Sequence, residues 1–154
     1  MSTVKIYGPA QGSTTLMCLM AAAEAGVDVQ HVSVDMKNGE HKAPNYIKDV
    51  HPLGKVPALT EENPNHENTF RLFETRAICR YIDNLSGHKL IPFTNAHELA
   101  LFEQFTFYEA TSVTPIVSKI LVERLYAPMF GRAANDEAAI KAGEEVKPFL
   151  KVLE

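Results

Sequence analysis

The strongest constraint on the fold lies in the first 34 residues. Val4 to Tyr7 alternates and reads as a short strand, and Val29 to Val34 is β-branched and reads as a second. Between them, Gly8-Pro9-Ala10-Gln11-Gly12 reads as a loop and Ser13-Thr14-Thr15 offers N-cap side chains. An apolar helical stretch then runs to about Glu24 and meets its stop signal at Gly26. A strand, one helix and a second strand in so short a span point to a βαβ unit with a parallel pair, since parallel strands need a crossover of roughly a dozen residues.

The pattern then changes. Lys37 to Asp49 is polar, contains Gly39 and Pro44, and reads as a loop with an irregular short helix. Val56-Pro57-Ala58-Leu59 reads as a third strand, Glu61 to Asn68 as a turn, and Thr69 to Phe73 as a fourth strand antiparallel to the third. A helix follows from Glu74, with Ala77, Ile78, Tyr81, Ile82 and Leu85 on one face. The order βαβ-loop-ββα is an α/β, thioredoxin-like arrangement over residues 1–86. Residues 87–95 read as a linker, with Gly87 and Pro92. Residues 96–154 show no strand signal and read as an all-α domain. Asn95 is placed to cap a helix carrying Leu99, Phe102, Phe105 and Tyr108, and Pro115 to kink or break it. Asp136 is placed to cap another, with Ala139, Gly143, Val146, Leu150 and Leu153 at heptad-like spacing. So few amphipathic helices do not close a bundle core, so this domain is expected to be incomplete or completed by something else.

Composition narrows the function classes. The formal charge of −4 argues against non-specific nucleic-acid binding, which needs clustered Lys and Arg. An anionic ligand must be held by a local basic patch. No stretch is long and apolar enough to span a membrane or to act as a signal peptide, so a cytoplasmic setting is expected. The two cysteines, Cys18 and Cys79, sit in apolar helical patterns and read as small buried hydrophobes. Neither CxxC nor metal-ligand spacing occurs, so no metal site is expected.

Three segments carry candidate chemistry. In His51-Pro52-Leu53-Gly54-Lys55-Val56-Pro57, a proline opens the third strand, where its missing N–H does no harm. A cis Val56-Pro57 bond would turn the Val56 backbone toward an extended peptide ligand; an ordinary trans proline at a strand edge is the plainer reading. Glu74-Thr75-Arg76 lies where a strand enters a helix. Free N–H groups make that start an anion site, the Thr75 hydroxyl adds a donor, and Glu74 suits an ammonium; a simple cap with a solvated Arg fits equally. Gly39-Glu40-His41-Lys42 places His41 and Lys42, with Lys55 nearby, to take a carboxylate, or else forms a solvated charged loop.

Taken in order, these residues resemble the glutathione transferase family, most closely its phi class and fungal relatives. The likeness runs without gaps from about Lys5 to Leu59, through Gly8, Gly39-Glu40-His41-Lys42 and Pro52-x-Gly54-x-Val56-Pro57. It resumes at Leu72-Phe73-Glu74-Thr75-Arg76-Ala77-Ile78-x-x-Tyr81-Ile82. A weaker likeness, Pro115-x-x-Ser118-Lys119 and Asp136-Glu137-Ala138, continues into the helical part.

The resemblance implies glutathione as cosubstrate and no metal or prosthetic group. Glutathione would contact Val56 beside a cis-Pro57. Its γ-glutamyl end would reach Glu74 and Thr75, with Arg76 adjoining, and its glycyl carboxylate His41, Lys42 and Lys55. A hydrophobic electrophile would sit in an apolar pocket walled by residues between Phe102 and Thr114. A homodimer is expected, as is conjugation to electrophiles or reduction of organic hydroperoxides. The family's mechanism needs a hydroxyl at the start of the first helix. There the sequence departs from the pattern: Gly12 stands where the phi class has its catalytic serine, and Leu16-Met17 replace a common arginine pair. Ser13 is the first candidate for the thiol's hydrogen-bond donor and Thr14 the second, and Ser13 as a mere cap is the alternative. Two rival functions remain at this level. One is a transferase-like module that binds glutathione or a protein without turnover. The other is a glutaredoxin-like thiol transferase using Cys18.

Overall fold

The computed structural model describes residues 2–62 and 69–153, and the chain divides into two compact units, Met1–Phe93 and Thr94–Glu154. The first unit comprises β1 (Thr3–Tyr7), α1 (Ser13–Ala25), β2 (Gln30–Val32), a short 3-10 turn (Glu40–Lys42), α2 (Pro44–Asp49), β3 (Ala58–Glu62), β4 (Phe70–Phe73) and α3 (Thr75–Leu85). The sheet order is β2-β1-β3-β4, with β1 parallel to β2 and antiparallel to β3, and β3 antiparallel to β4. The thioredoxin-like α/β reading of the sequence therefore stands.

The core gathers alternate residues of the sheet against a helical stripe. Val4, Ile6 and Leu59 point to one face, where Cys18, Ala22 and Ala25 of α1 and Ile78 and Ile82 of α3 meet them. Spacings of three and four residues put each helical set on one side of its helix. Leu85, expected on that face, is exposed.

Several boundaries differ from the sequence reading, each for a local reason. The N-cap of α1 is Gly12, which provides no side-chain bond, and Ser13, Thr14 and Thr15 are already helical. A turn closing from the Gly12 N–H to the Pro9 carbonyl (2.9 Å) completes the loop one residue early, and Leu16 N–H then bonds the Gly12 carbonyl at 2.8 Å. β2 stops at Val32, whose carbonyl accepts from Gly8 N–H where β1 ends. β3 begins at Ala58, because Val56-Pro57 is a cis peptide and Pro57 has no N–H for the ladder. It continues through Glu61 and Glu62, which pair with Val4 and Thr3, so the expected turn starts later. The remainder of that turn, residues 63–68, lies outside the described residues.

The second unit is helical: α4 (Ala96–Tyr108), a π turn (Glu109–Val113), α5 (Thr114–Leu121), a second π turn (Val122–Tyr126), α6 (Ala127–Met129), α7 (Asp136–Leu150) and a 3-10 turn (Lys151–Leu153). Asn95 caps α4 by accepting from His97 and Glu98 N–H. Pro115 sits in the first turn of α5, directly after a π turn, where its missing N–H interrupts the run without ending it. The cap of α7 is Asn135, one residue before the expected Asp136, with its side chain accepting from Ala138 N–H at 3.0 Å. Ala139, Ala142 and Val146 form the buried stripe of α7, while Leu150 is exposed. No described helix is long and apolar enough to cross a membrane.

One buried carboxylate ties off the first unit. Asp83, near the end of α3, is fully buried; its Oδ1 accepts from Leu90 N–H at 2.7 Å and its Oδ2 faces His88 Nδ1 at 3.4 Å. Asp83→Ala is expected to lower the unfolding free energy by roughly 1.5–3 kcal/mol, because it removes a charged acceptor and strands a backbone donor. Urea unfolding of both proteins measures the difference; an unchanged midpoint would show the turn after α3 to be held by other means.

Candidate functional site

Strand register places the candidate residues together. Tyr7, Ala58 and Phe73 are aligned across β1, β3 and β4, and Tyr7 is also aligned with Val32 of β2. Since β1 and β4 run the same way and β3 the other, the end of β1, the start of β3 and the end of β4 share one edge of the sheet. The loop to α1, the Val56-Pro57 entry and the Glu74-Thr75 entry to α3 all emerge there. Ligands of open α/β sheets gather at the carboxyl ends of the strands for this reason.

The segment before β3 is held from three sides. Gly54 has φ +55, and a Cβ there would meet the His41 carbonyl oxygen at 2.5 Å, so the 3-10 turn rests directly on it. Lys42 Nζ donates to the carbonyls of Gly54 (2.6 Å) and Leu53 (3.3 Å). Tyr46 of α2, buried, donates its hydroxyl to the Lys55 carbonyl at 2.9 Å, and burial raises its pKa above the usual tyrosine value. Val56 is half-buried and precedes the first paired residue of the strand, so its backbone groups lie outside the ladder.

The charges surround a histidine. His51 is 3% exposed, its Nδ1 accepts from Leu53 N–H at 3.1 Å, and its ring lies 4.8 Å from that of Phe73. Burial lowers its pKa, Glu74 opposes that shift, and Lys55 and Lys42 reinforce it. Lys42, Lys55 and Glu74 are therefore all within electrostatic reach of one neutral imidazole. Lys42, Lys55 and Glu74 are exposed, whereas His41 is half-buried, with an Nδ1 that is buried and lacks a partner among the described residues. Sequence reasoning passed over His51 and Tyr46. An apolar neighbour on each side of a histidine is the only signal a sequence carries for such a role, and it is a weak one.

Backbone strain marks the third corner. Glu74 adopts φ 74, ψ 115 immediately before α3, an uncommon conformation for a residue with a Cβ. Thr75, the first residue of α3, is buried, and Arg76 is half-buried, its charge lowering the pKa of Cys79.

At the start of α1 the three hydroxyls separate. Ser13 and Thr14 are exposed at the positive end of the helix, while Thr15 is buried beneath Gly8, its Oγ1 without a partner among the described residues. A Cβ on Gly8 would lie 2.2 Å from that oxygen, so the loop closes over Thr15 only because position 8 is glycine. The loop is further held by His31 Nε2 donating to the Gly8 carbonyl at 2.8 Å. Cys18 is fully buried and its thiol pKa is pushed up by hydrogen bonding with Cys79 and by burial, which disfavours the glutaredoxin-like reading.

Comparison with known proteins places these features in a family context. Residues 2–84 match the family described as glutathione S-transferase, N-terminal domain. The chain is 38% identical over 144 residues to glutathione S-transferase PM239X14 of Arabidopsis thaliana, covering 92% of this chain but 64% of that protein. Among solved structures, glutathione transferase F7 from Populus trichocarpa superposes with a TM-score of 0.86 at 28% identity, covering 98% of this chain and 69% of that one. Maize glutathione S-transferase I in complex with an atrazine glutathione conjugate gives 0.84 at 30% identity, covering 98% and 68%.

Two outcomes are expected. Gly54→Ala forces a left-handed alanine, costing roughly 1–2 kcal/mol, and adds a backbone clash; lower thermal stability than wild type is the check. For His51, a folded pKa below the ordinary 6.5 means that the unfolded chain protonates first as pH falls, so stability is lost from about pH 6.5 downward. His51→Gln, which keeps an acceptor without titrating, should flatten that loss in urea titrations between about pH 7 and pH 5. An equal slope in both proteins would remove His51 from the explanation.

Proposed function

The chain belongs to the glutathione S-transferase family, with plant phi-class members among its relatives, and on that footing we propose that it lays glutathione along the sheet edge and transfers its thiolate to hydrophobic electrophiles or organic hydroperoxides. The cysteinyl backbone of glutathione pairs with Val56 beside Pro57, where main-chain groups lie outside the ladder. The glycyl carboxylate faces His41, Lys42 and Lys55. The γ-glutamyl end meets Glu74, which suits its ammonium, and Thr75, whose hydroxyl and helix start suit its carboxylate, with Arg76 behind them. No metal or prosthetic group enters the scheme. A cytosolic homodimer is part of the same reading.

The observation that carries the reading is the junction at Glu74-Thr75. A non-glycine residue held at positive φ places an exposed carboxylate at the edge it shares with Lys42 and Lys55, and such strain persists where a ligand site needs it.

Activation of the thiol needs little. A free cysteine thiol titrates near 8.5, and lowering that by about two units takes roughly 2.7 kcal/mol. One hydrogen bond to the thiolate supplies about 1.5–3 kcal/mol and the helix start roughly 0.3–1 kcal/mol. Ser13, exposed at the head of α1, is the donor, with Thr14 next. A second reading, glutathione or protein binding without turnover, is favoured by one observation: Gly12 takes the N-cap position and offers no side chain.

In a chlorodinitrobenzene conjugation assay, Ser13→Ala should lower kcat/KM roughly 10- to 100-fold, the loss of one charged hydrogen bond. The thiol pKa of bound glutathione, read from thiolate absorbance, should rise in parallel. Wild-type protein that is retained on glutathione resin yet shows neither conjugation nor peroxidase turnover would establish the binding-only reading instead.

A further inference from the structure

Helices α1 and α3 meet through two cysteines that the transferase scheme does not use. Cys18 is fully buried and Cys79 half-buried. Each thiol rests on the opposite helix's backbone: Cys18 Sγ lies 3.8 Å from the Thr75 carbonyl oxygen, and Cys79 Sγ 3.9 Å from that of Met17. Each thiol also shifts the other's titration, as near neighbours in that seam do. Two thiols thus share one seam between packed helices.

We propose that Cys18 and Cys79 form a two-cysteine redox site, in which Cys79 reacts with a hydroperoxide and Cys18 resolves the product as an intramolecular disulfide joining α1 to α3. The two thiols are not equivalent. Cys79 is the one solvent reaches, and its pKa is lowered by the neighbouring Cys18 and by the Arg76 guanidinium one turn earlier, against the opposing effect of burial. Cys18, buried and pushed the other way, keeps its proton until the second step. A partly exposed, low-pKa thiol beside a resolving partner is the pattern of redox-sensing cysteines.

The chemistry balances. The Cys79 thiolate attacks the terminal peroxide oxygen, the O–O bond breaks, and the leaving alkoxide or hydroxide takes a proton from solvent, leaving a sulfenic acid. The Cys18 sulfur then attacks the Cys79 sulfur, and the Cys18 proton departs with the displaced hydroxide as water. Two thiols lose two electrons, and the hydroperoxide becomes an alcohol, or water, plus one water. On closure the Cys18 thiol releases the Thr75 carbonyl, so oxidation is transmitted to the first residue of α3.

The test needs no glutathione and so is independent of the transferase reading. The reduced, full-length chain is treated with a small excess of hydrogen peroxide and alkylated with N-ethylmaleimide. Loss of both free thiols, a mass decrease of two hydrogens and a non-reducing peptide map linking the Cys18 and Cys79 peptides are expected, all reversed by dithiothreitol. Cys18→Ala should lose the link and accumulate a dimedone-trapped sulfenic acid on Cys79; Cys79→Ser should leave Cys18 unoxidised. The wild-type map stands without the variants, should either fold poorly. Two free thiols after treatment, a link only between separate chains, or dimedone on Cys18 in the wild type would each overturn the proposal.

Discussion

The alignment of Tyr7, Ala58 and Phe73 across three strands is the constraint on which the remainder depends. Side chains alternate along a strand, so a shift of one residue would send Ile6 and Leu59 out of the core and break their contact with Ile78 and Ile82. The apolar pattern thus enforces the register, and the register brings three chemically distinct segments to one edge. No interaction between those segments is needed to assemble them. Burial of an apolar face, on the far side of the logic from any ligand, performs that placement.

The segment before β3 shows how a site is held without a regular element. Gly54 accepts the weight of the 3-10 turn only because it lacks a Cβ, while Lys42 binds its carbonyl and that of Leu53, and Tyr46 binds that of Lys55. His51 closes the arrangement from beneath, stacked near Phe73 and kept neutral by burial and by two lysines. An acidic chain can in this way present local positive charge: the overall charge of −4 governs the long-range field, while Lys42 and Lys55 govern the few ångströms that matter to a carboxylate.

The start of α1 obeys a different balance. Gly8 and Gly12 let the loop fold tightly over Thr15, which costs the chain a capping side chain and leaves the hydroxyl of Thr15 buried without a partner among the described residues. Ser13 and Thr14 gain exposure at the helix head as the consequence. In the seam between α1 and α3, small side chains such as Ala22 allow close approach, and the same closeness that packs the core sets Cys18 and Cys79 each against the opposite helix.

Much of this was legible in the residues. The βαβ opening followed from β-branched runs around one helical stretch, the stop at Gly26 from its glycine, and the candidate segments around Val56 and Glu74 from their order along the chain. Local chemistry governs such features, so sequence carries them. The boundaries were less legible: Gly12 rather than Ser13 caps α1, Asn135 rather than Asp136 caps α7, and β3 runs on through Glu62, because a turn closing early or a strand finding a partner depends on neighbours distant in sequence. His51, Tyr46 and the seam shared by Cys18 and Cys79 could emerge only from the folded chain. Each depends on packing between residues apart in sequence, and burial, which shifts His51 and Tyr46, is a property of packing and not of composition.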